Sequence, residues 1–170
     1  MAPVVALSGF MGSGKSTVGR LVAAALGWRF TDLDDEVERR KRRPIAEMFA
    51  LEGESAFRRV ELEVLQDVLA ARAPGDGLVL GLGGGTLTQA EARGLLAVDG
   101  TVIYLAVSPE VAWERVRGTG RPLAVSWEAF SALSVVRDGV YLESADLVID
   151  TGVLTPDEVA DRVVRSVALS

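Results

Sequence analysis

The chain has 170 residues, 49% of them hydrophobic, which suits one folded domain covering residues 1–170 and excludes a disordered chain. It contains no cysteine and no histidine, so disulfide bonds, thiolate or imidazole metal sites and imidazole bases are excluded. The net charge of −6 argues against general nucleic-acid binding, and no apolar run has the length of a transmembrane helix. Residues 1–7 are too short for a signal peptide and lead directly into a predicted strand. We therefore expect a cytoplasmic protein without nucleic-acid or membrane partners.

The first predicted elements surround a glycine-rich loop. Val4–Leu7 is an apolar strand, Val18–Leu26 has the apolar spacing of a helix, and residues 9–17 between them contain Gly-x4-Gly-Lys-Ser. The glycines let main-chain N–H groups converge on phosphate oxygens, and the helix directs the positive end of its dipole at the same anion. In such a loop Lys15 reaches the β- and γ-phosphates and the Ser16 hydroxyl holds Mg²⁺. The alternative is a turn that only joins strand to helix, but the matching strand and helix favour a nucleotide site.

Two aspartates lie at the end of the next predicted strand, Trp28–Leu33. On an extended chain Asp32 and Asp34 face the same way, so both carboxylates could serve one site. Aspartates also commonly cap helices, and Asp34 and Asp35 could cap the helix that follows. The sequence leaves these two interpretations open.

The predicted helix Asp35–Arg43 ends in a basic run, Arg39–Arg43. Such a run can mark a nucleic-acid patch. Because the chain as a whole is acidic, we interpret it as a solvated helix end, favoured by the helix dipole and stopped by Pro44.

Two further helices are predicted, Ile45–Ala50 and Glu54–Ala71, separated at Gly53. Arg58 and Glu61 lie three residues apart on one face of the second helix and can interact. Taken alone, this spacing predicts an ordinary surface ion pair.

A third strand, Leu78–Leu82, runs into the three glycines Gly83–Gly85. These glycines could form only a flexible connector. The carboxyl end of a parallel strand, however, is where such sheets bind ligands, and glycines permit a close approach. Thr88 is predicted to cap a helix that ends near Val98, and Thr101–Val107 is the fourth strand.

The segment after the fourth strand is basic. Ser108, followed by proline, is predicted to cap a helix. Arg115, Arg117 and Arg121 come next, interleaved with glycines. This pattern indicates a mobile lid over phosphates at about residues 115–127, and the alternative is a solvated arginine loop.

The remaining predicted elements are a helix at Ser126–Glu143, which contains Arg137 and is interrupted near Gly139, a fifth strand at Leu147–Asp150, and a last helix from Thr155 to about Val167. Strands alternate with helices, and nearly every strand is continuously apolar. This pattern predicts an α/β fold, a three-layer α/β/α sandwich with a five-stranded parallel sheet buried on both faces. With the glycine-rich loop, it is the P-loop NTPase type, similar to nucleoside monophosphate kinases.

Six segments together resemble the shikimate kinase family, small P-loop kinases of aromatic amino-acid biosynthesis. These segments are residues 9–17, Asp32–Asp34, Phe57–Glu61, Gly83–Gly85, Arg121–Leu123 and Arg137–Tyr141. The P-loop alone does not select among kinases. The Asp-x-Asp, Phe-Arg-x-x-Glu and triple-glycine motifs in this order are more specific, and the resemblance covers almost the whole chain.

The resemblance implies a monomeric kinase that uses ATP and Mg²⁺ to convert shikimate to shikimate 3-phosphate and releases ADP. Catalysis would involve Lys15, Asp34 and Arg121, and Asp34 would engage the attacking hydroxyl. The acceptor-binding region would cover about residues 34–61. Shikimate would be bound by Asp34, Phe57, Arg58, Glu61, Gly83, Gly84, Gly85 and Arg137. ATP would be bound by Gly12, Ser13, Gly14, Lys15, Ser16, Thr17, Arg117, Arg121 and Pro156. Mg²⁺ would be held by Ser16 and Asp32.

Elementary chemistry agrees with these implied roles. Shikimate is a small anion with several hydroxyls, and two arginines suit a carboxylate because their donors match its two oxygens. Phosphoryl transfer needs positioning and charge neutralisation more than covalent chemistry. Two features depart from the family pattern: the segment from Arg121 to Arg137 is short, and Gly139 stands where the family has a proline.

Two rival functions are open to a chain with this loop. One is another small-metabolite kinase, such as a gluconate kinase, against which the Arg58–Arg137 pair and the triple glycine speak. The other is a nucleotide-binding regulatory module without turnover. It is disfavoured because Lys15, Ser16, Asp34 and Arg121 are all present.

Overall fold

The computed structural model of the chain describes residues 3–117 and 126–168. The strands in these ranges are β1 Val4–Ser8, β2 Arg29–Asp32, β3 Leu78–Gly81, β4 Gly100–Ala106 and β5 Leu147–Asp150. The helices are α1 Lys15–Leu26, α2 Leu33–Lys41, α3 Ile45–Ala70, α4 Ala90–Asp99, α5 Pro109–Val116, α6 Trp127–Ser144 and α7 Pro156–Ala168, with a 3₁₀ turn at Thr86–Thr88. The strands form one sheet in the order β2-β3-β1-β4-β5, and all pairs are parallel. The predicted five-stranded parallel sheet is confirmed.

The central strands β1, β3 and β4 are largely buried on both faces, as their apolar residues predict, whereas the edge strands β2 and β5 are partly exposed. In β1, Val4 and Ala6 belong to one hydrophobic cluster, whereas Val5 and Leu7 belong to another on the opposite face. Helices α1 and α7 supply side chains to the second cluster, and α2 to α6 supply side chains to the first. Each fully buried leucine or valine stabilises the fold by about 1.5–3 kcal/mol. The predicted three-layer sandwich is therefore confirmed.

The order of the strands determines which loops meet. β1 lies between β3 and β4, and β2 pairs with the other edge of β3. Because parallel strands end at the same edge of a sheet, the loop after β1, the start of α2 and the glycines after β3 lie side by side. The predicted phosphate loop and the predicted acceptor residues therefore share one edge.

The end of β2 differs from the prediction. The strand stops at Asp32, and α2 begins at Leu33. Asp32 is the N-cap of α2, because its Oδ1 accepts hydrogen bonds from the N–H groups of Asp34 (3.1 Å) and Asp35 (3.4 Å). The interpretation in which Asp32 and Asp34 face the same way on one extended chain is wrong. The helix cap is real, but Asp32 forms it rather than Asp34 or Asp35.

Two other predicted boundaries are wrong. Thr88 does not cap α4: the N-cap is Gln89, and the Thr88 hydroxyl instead donates to the carbonyl of Gly85. Helix α6 runs from Trp127 to Ser144 without the interruption predicted near Gly139. A single glycine costs a helix only about 1 kcal/mol, which packing offsets.

Several local signals are confirmed. Gly27 ends α1 in the left-handed conformation, and Gly53, with φ 80° and ψ 171°, breaks α3 where the sequence predicted two helices. Ser108 caps α5 by accepting the N–H of Val111. No helix in residues 3–117 or 126–168 is long and apolar enough to cross a membrane.

The basic run at Arg39–Arg43 lies at the end of α2, which finishes at Lys41. Arg39 and Arg40 donate to the carboxylate of Glu36, and Arg40 also reaches Asp67 at 2.6 Å. These ion pairs fit the interpretation of a solvated helix end.

Candidate active site

The P-loop opens helix α1. Its N-cap is Gly14, in the left-handed conformation with φ 92° and ψ 15°, and Lys15 is the first helical residue. A glycine cap has no side-chain oxygen to accept hydrogen bonds from the first-turn N–H groups. Those N–H groups and the positive end of the helix dipole make this end of α1 suited to a phosphate.

Lys15 stays close to the loop that contains it. Its Nζ donates to the main-chain carbonyl of Gly9 at 2.7 Å and to that of Phe10 at 3.1 Å. Both bonds are local, and they hold the ammonium group at the loop. This position puts a positive charge beside the first turn of α1, where the sequence predicted one.

Ser16 and Asp32 meet beside the P-loop. The Ser16 hydroxyl donates to Asp32 Oδ2 at 2.6 Å, while Asp32 Oδ1 caps α2. A hydroxyl next to a carboxylate offers the hard oxygen ligands that Mg²⁺ prefers. Among the described residues no three carboxylates, cysteines or histidines cluster as a metal cage. The pair therefore fits an ion such as Mg²⁺, which keeps waters and phosphate oxygens as its other ligands.

Asp34 lies in the first turn of α2 and is partly buried. Burial raises the pKa of its carboxyl from 3.8 to about 6, helped by the charges of Glu61 and Asp32 and opposed by those of Lys15 and Arg58. A carboxyl with a pKa near the working pH can accept a proton and still be ionised often enough to do so. Asp34 is the described group best suited to act as a base here.

Arg58 and Glu61 form an ion pair, but it is not at the surface as predicted. Glu61 is fully buried, with 0% of its side chain exposed, and it accepts from Arg58 Nη1 at 2.7 Å. The same face of α3 buries Phe57, Val64 and Leu65, so Glu61 is carried into the core with them. The i, i+3 spacing was correct, and the burial could not be read from it.

Arg58 is held from several sides. Its guanidinium lies 5.1 Å from the centre of the Phe57 ring and 5.9 Å from that of Phe49. Its Nε and Nη2 donate to Glu54 at 3.3 Å. The arginine is thus oriented before any ligand contributes, which favours tight binding of a carboxylate.

Two residues that the sequence analysis did not select complete the surroundings of Glu61. The Thr86 hydroxyl donates to Glu61 Oε1 at 2.6 Å, and Gln89 Nε2 donates to Oε2 at 2.9 Å. They follow the triple glycine, but their contacts with Glu61 span 25 and 28 residues. No local pattern in the sequence signals such contacts.

The triple glycine makes room for these side chains. A Cβ at Gly83 would lie 2.6 Å from both Asp34 Oδ1 and Glu61 Oε1, and a Cβ at Gly85 would lie 2.1 Å from Arg58 Nη2. Real side chains do not approach so closely. The space that the glycines leave is occupied by the protein's own charged groups, and the close approach of a ligand stays a prediction.

Arg137 approaches the triple glycine from α6. It is 8% exposed, and its guanidinium lies 6.0 Å from the centre of the Phe10 ring. A Cβ at Gly84 would lie 3.1 Å from Arg137 Nη1. The hydroxyl of Tyr141, whose pKa burial raises to about 12, donates to the carbonyl of Gly84. Arg58 and Arg137 thus meet along one loop, and Tyr141 is a further residue that the sequence analysis did not select.

Arg115 links the P-loop to the segment that follows β5. Its Nη1 donates to the carbonyl of Gly12 at 3.0 Å, and its Nη2 donates to that of Thr151 at 2.9 Å. The prediction that this arginine belongs to a mobile lid is wrong, because Arg115 lies in α5. Its two bonds hold the P-loop against the segment between β5 and α7.

The other predicted nucleotide residues lie around this bridge. Arg117 is exposed at the end of α5 and pairs with Glu114 at 2.8 Å, and Pro156 is exposed at the first position of α7. Arg121 lies outside the described residues. The predicted lid at 115–127 includes the last turn of α5 and the start of α6.

The family model for shikimate kinase matches residues 11–168 of this chain. The chain belongs to the shikimate kinase family. A shikimate kinase of Mycobacterium avium is 44% identical over 171 residues, covering 96% of this chain and 93% of that protein. One from Methylococcus capsulatus is 44% identical over 150 residues, covering 86% and 82% of the two chains.

A solved shikimate kinase has the same fold. The shikimate kinase from Acinetobacter baumannii in complex with shikimate superimposes with a TM-score of 0.90 at 35% identity, covering 99% of this chain and 94% of that one. The resemblance stated from six motifs is therefore confirmed. The span that matches the shikimate kinase family model includes every candidate site residue from Gly12 to Pro156.

Proposed function

We propose that this protein transfers the γ-phosphoryl group of ATP to shikimate, giving shikimate 3-phosphate and ADP on the shikimate pathway to chorismate and aromatic amino acids. The observation that carries the proposal is the position of Asp34. Its Oδ1 lies 2.6 Å from the position that a Cβ on Gly83 would take, beside the triple glycine, and the charges of Lys15 and Arg58 both act on its pKa. Family membership supports the choice of shikimate as acceptor.

The acceptor's carboxylate would bind between Arg58 and Arg137. A guanidinium has five N–H donors, of which Arg58 uses one on Nε, one on Nη1 and one on Nη2 for Glu54 and Glu61. Within the described contacts, one N–H on each terminal nitrogen remains for a ligand. Two such donors match the two oxygens of a carboxylate. Phe57, Glu61 and the glycines Gly83–Gly85 would line the same site.

Asp34 would hold and deprotonate the attacking hydroxyl. Its pKa of about 6 leaves it largely ionised at neutral pH, when it can accept a hydrogen bond from that hydroxyl. Lys15 would neutralise charge that develops on the transferred group, because its ammonium lies at the P-loop. Arg121 would add a second positive charge. The main-chain N–H groups from Gly12 to Thr17 would cradle the phosphates.

Ser16 and Asp32 would hold Mg²⁺, since their oxygens already lie 2.6 Å apart. When bound, Mg²⁺ supplies positive charge that lowers the repulsion between the phosphates and the attacking oxygen. Pro156 would pack against adenine, and Arg117 would cover the ring's other face. We expect one domain acting as a monomer in the cytoplasm, where ATP is supplied, without nucleic-acid or membrane partners.

A coupled ADP-release assay tests this proposal. The purified protein is supplied with ATP and Mg²⁺ and with shikimate, with gluconate, or with no acceptor. We expect rapid ADP release with shikimate, and not with gluconate or without an acceptor. Equal release with gluconate would identify another small-metabolite kinase, and nucleotide binding without release under any condition would identify a regulatory module.

A further inference from the structure

Thr86 and Gln89 direct their side chains away from their own local structure. Gln89 is the N-cap of α4, yet its side chain makes no capping hydrogen bond and donates to Glu61 instead. Thr86 begins the 3₁₀ turn and is fully buried, and its hydroxyl also donates to Glu61. Neither side chain caps its own turn or helix, and both hydrogen bonds end on the carboxylate of Glu61.

Glu61 needs these donors. A buried carboxylate is costly unless its oxygens are satisfied by hydrogen bonds and an opposite charge. Oε2 accepts from Arg58 at 2.7 Å and from Gln89 at 2.9 Å, and Oε1 accepts from Thr86 at 2.6 Å. The charge comes from Arg58, and the two neutral donors determine how the carboxylate plane is turned.

The direction in which Glu61 turns also depends on its charged neighbours. A single point, the Cβ position at Gly83, lies 2.6 Å from Glu61 Oε1, 2.6 Å from Asp34 Oδ1 and 3.0 Å from Thr86 Oγ1. The two carboxylates repel each other across this point, and the Thr86 hydroxyl holds Oε1 against that repulsion. Without Thr86 and Gln89, Glu61 would rotate away from Asp34 and carry Arg58 Nη1 with it.

We propose that Thr86 and Gln89 are positioning residues for the acceptor's carboxylate, acting through Glu61 on the guanidinium of Arg58. This inference rests on the proposed function and adds two residues to it. They touch neither reactant, and they determine whether Arg58 presents its remaining N–H groups as a matched pair. The sensitive quantity is therefore the affinity for an acceptor that carries a carboxylate.

The test compares shikimate with its methyl ester, which has the same ring and hydroxyls but no negative charge. Affinities of both, and of ATP, are measured by calorimetry for the wild type, Thr86→Val and Gln89→Leu. We expect the dissociation constant for shikimate to rise at least about five-fold in each variant, the scale of a charged hydrogen bond. The affinity for the ester and for ATP should change less than about two-fold, so KM for shikimate rises while kcat is largely kept.

Two further variants sharpen this test. Thr86→Ser keeps the hydroxyl and should restore shikimate affinity to within about two-fold of the wild type. Thr88→Val is the matched control, because it removes a hydroxyl from the same turn that donates to the Gly85 carbonyl and not to Glu61. We expect it to change the affinities for shikimate and for the ester by the same factor.

The outcomes separate this inference from the proposed function. Equal weakening of shikimate and ester by Thr86→Val and Gln89→Leu would overturn the positioning role. So would full retention of shikimate affinity in both variants. If Thr86→Val does not fold, Gln89→Leu and Thr86→Ser still decide. A wild type that binds no shikimate would contradict the proposed function itself.

Discussion

The two halves of the candidate site are built differently. In the phosphate half, Lys15 donates to carbonyls five and six residues away, and the main chain of the P-loop supplies the N–H groups suited to a phosphate. In the acceptor half, Glu61 receives donors 25 and 28 residues away, and Tyr141 reaches Gly84 across 57 residues. The phosphate half is thus built mainly on local contacts, with Arg115 as its long-range tie to Gly12, whereas the acceptor half depends on packed helices and buried side chains.

This difference predicts which property a substitution in each half should reduce. Removing a charge from the phosphate half leaves the main chain of the P-loop intact. Turnover should therefore fall while nucleotide binding is kept. Removing a charge from the acceptor half leaves a buried partner unpaired, and affinity for the acceptor falls with it.

Lys15→Met should reduce turnover at least ~10²-fold, because the charge that stabilises the transferring phosphoryl group is lost. Nucleotide binding should survive, since the main-chain N–H groups remain. Lys41→Met is the matched control, because Lys41 is the only other lysine in the sequence and lies exposed at the end of α2. Steady-state kinetics and ATP titration of both variants provide the measurement. Turnover of Lys15→Met within a few-fold of the wild type would remove this residue from the mechanism.

Asp34 and Asp32 adjoin both halves and should respond differently to asparagine. Asp34→Asn should cut turnover by ~10²-fold or more, because an amide cannot accept the hydroxyl's proton, and added Mg²⁺ should not restore it. Asp32→Asn should instead raise the Mg²⁺ concentration needed for half-maximal rate, with partial recovery at high Mg²⁺.

The measurement is a Mg²⁺ titration at saturating ATP and shikimate, repeated for nucleotide binding alone. Curves of the same shape that differ only in height would contradict this division of labour. Since Asp32 also caps α2, a thermal melt of Asp32→Asn separates a loss of stability from a loss of metal affinity.

Arg58→Ala and Arg137→Ala should each weaken shikimate binding by ~2 kcal/mol or more, the scale for truncating one member of a buried charged pair. ATP affinity without shikimate should barely change. Arg59→Ala is the control for Arg58, as the neighbouring arginine on the exposed face of α3. If ATP binding falls and shikimate binding does not, the assignment of the acceptor half is wrong.

The pKa of Asp34 predicts the acid limb of activity. Its folded value, about 6, lies above the ordinary 3.8, so the base is protonated as the pH falls through 6. We expect kcat/KM for shikimate to drop about tenfold per pH unit below that value. A rate profile from pH 8 to pH 4.5 measures this limb. A flat profile down to pH 5 would exclude Asp34 as the titrating base.

The same shift makes a smaller prediction for stability. Because the folded state holds the proton of Asp34 more tightly than the unfolded state, this residue's favourable contribution is present below pH 3.8 and lost as the pH rises through 6. Asp34→Asn should therefore be more stable than the wild type at pH 8, by roughly 1–3 kcal/mol, and equal to it near pH 4. Urea unfolding at both pH values measures the difference, and equal stability of the two proteins at pH 8 would contradict it.

The sequence alone predicted the local structure of the phosphate half well. Spacing of the glycines, an apolar strand before them and a helical pattern after them are local features, and Lys15 is held by local contacts. The fold class followed for a similar reason. Alternating apolar strands and helices can bury both faces of a parallel sheet in few ways.

The wrong boundaries lie where a local pattern competes with a capping bond or with packing. Asp32, Leu33 and Asp34 suit a strand by their alternation, but the side chain of Asp32 satisfies two N–H groups and starts a helix. Gly139 suggested a break, and packing of α6 carried the helix past it. In both cases the competing structure differs by about 1 kcal/mol, which local sequence cannot decide.

Only the tertiary structure decided the burial and the hydrogen bonds of the acceptor half. The spacing of Arg58 and Glu61 is identical for a surface pair and a buried one, and their energies differ because burial removes water from the carboxylate. Hydrogen bonds from Thr86 and Gln89 offset this desolvation cost. Both residues become neighbours of Glu61 only when α3 and α4 pack together. The hydrogen bond between Thr86 and Glu61 spans 25 residues. It produces no periodic pattern in the sequence, because it does not depend on the identity of the residues between them.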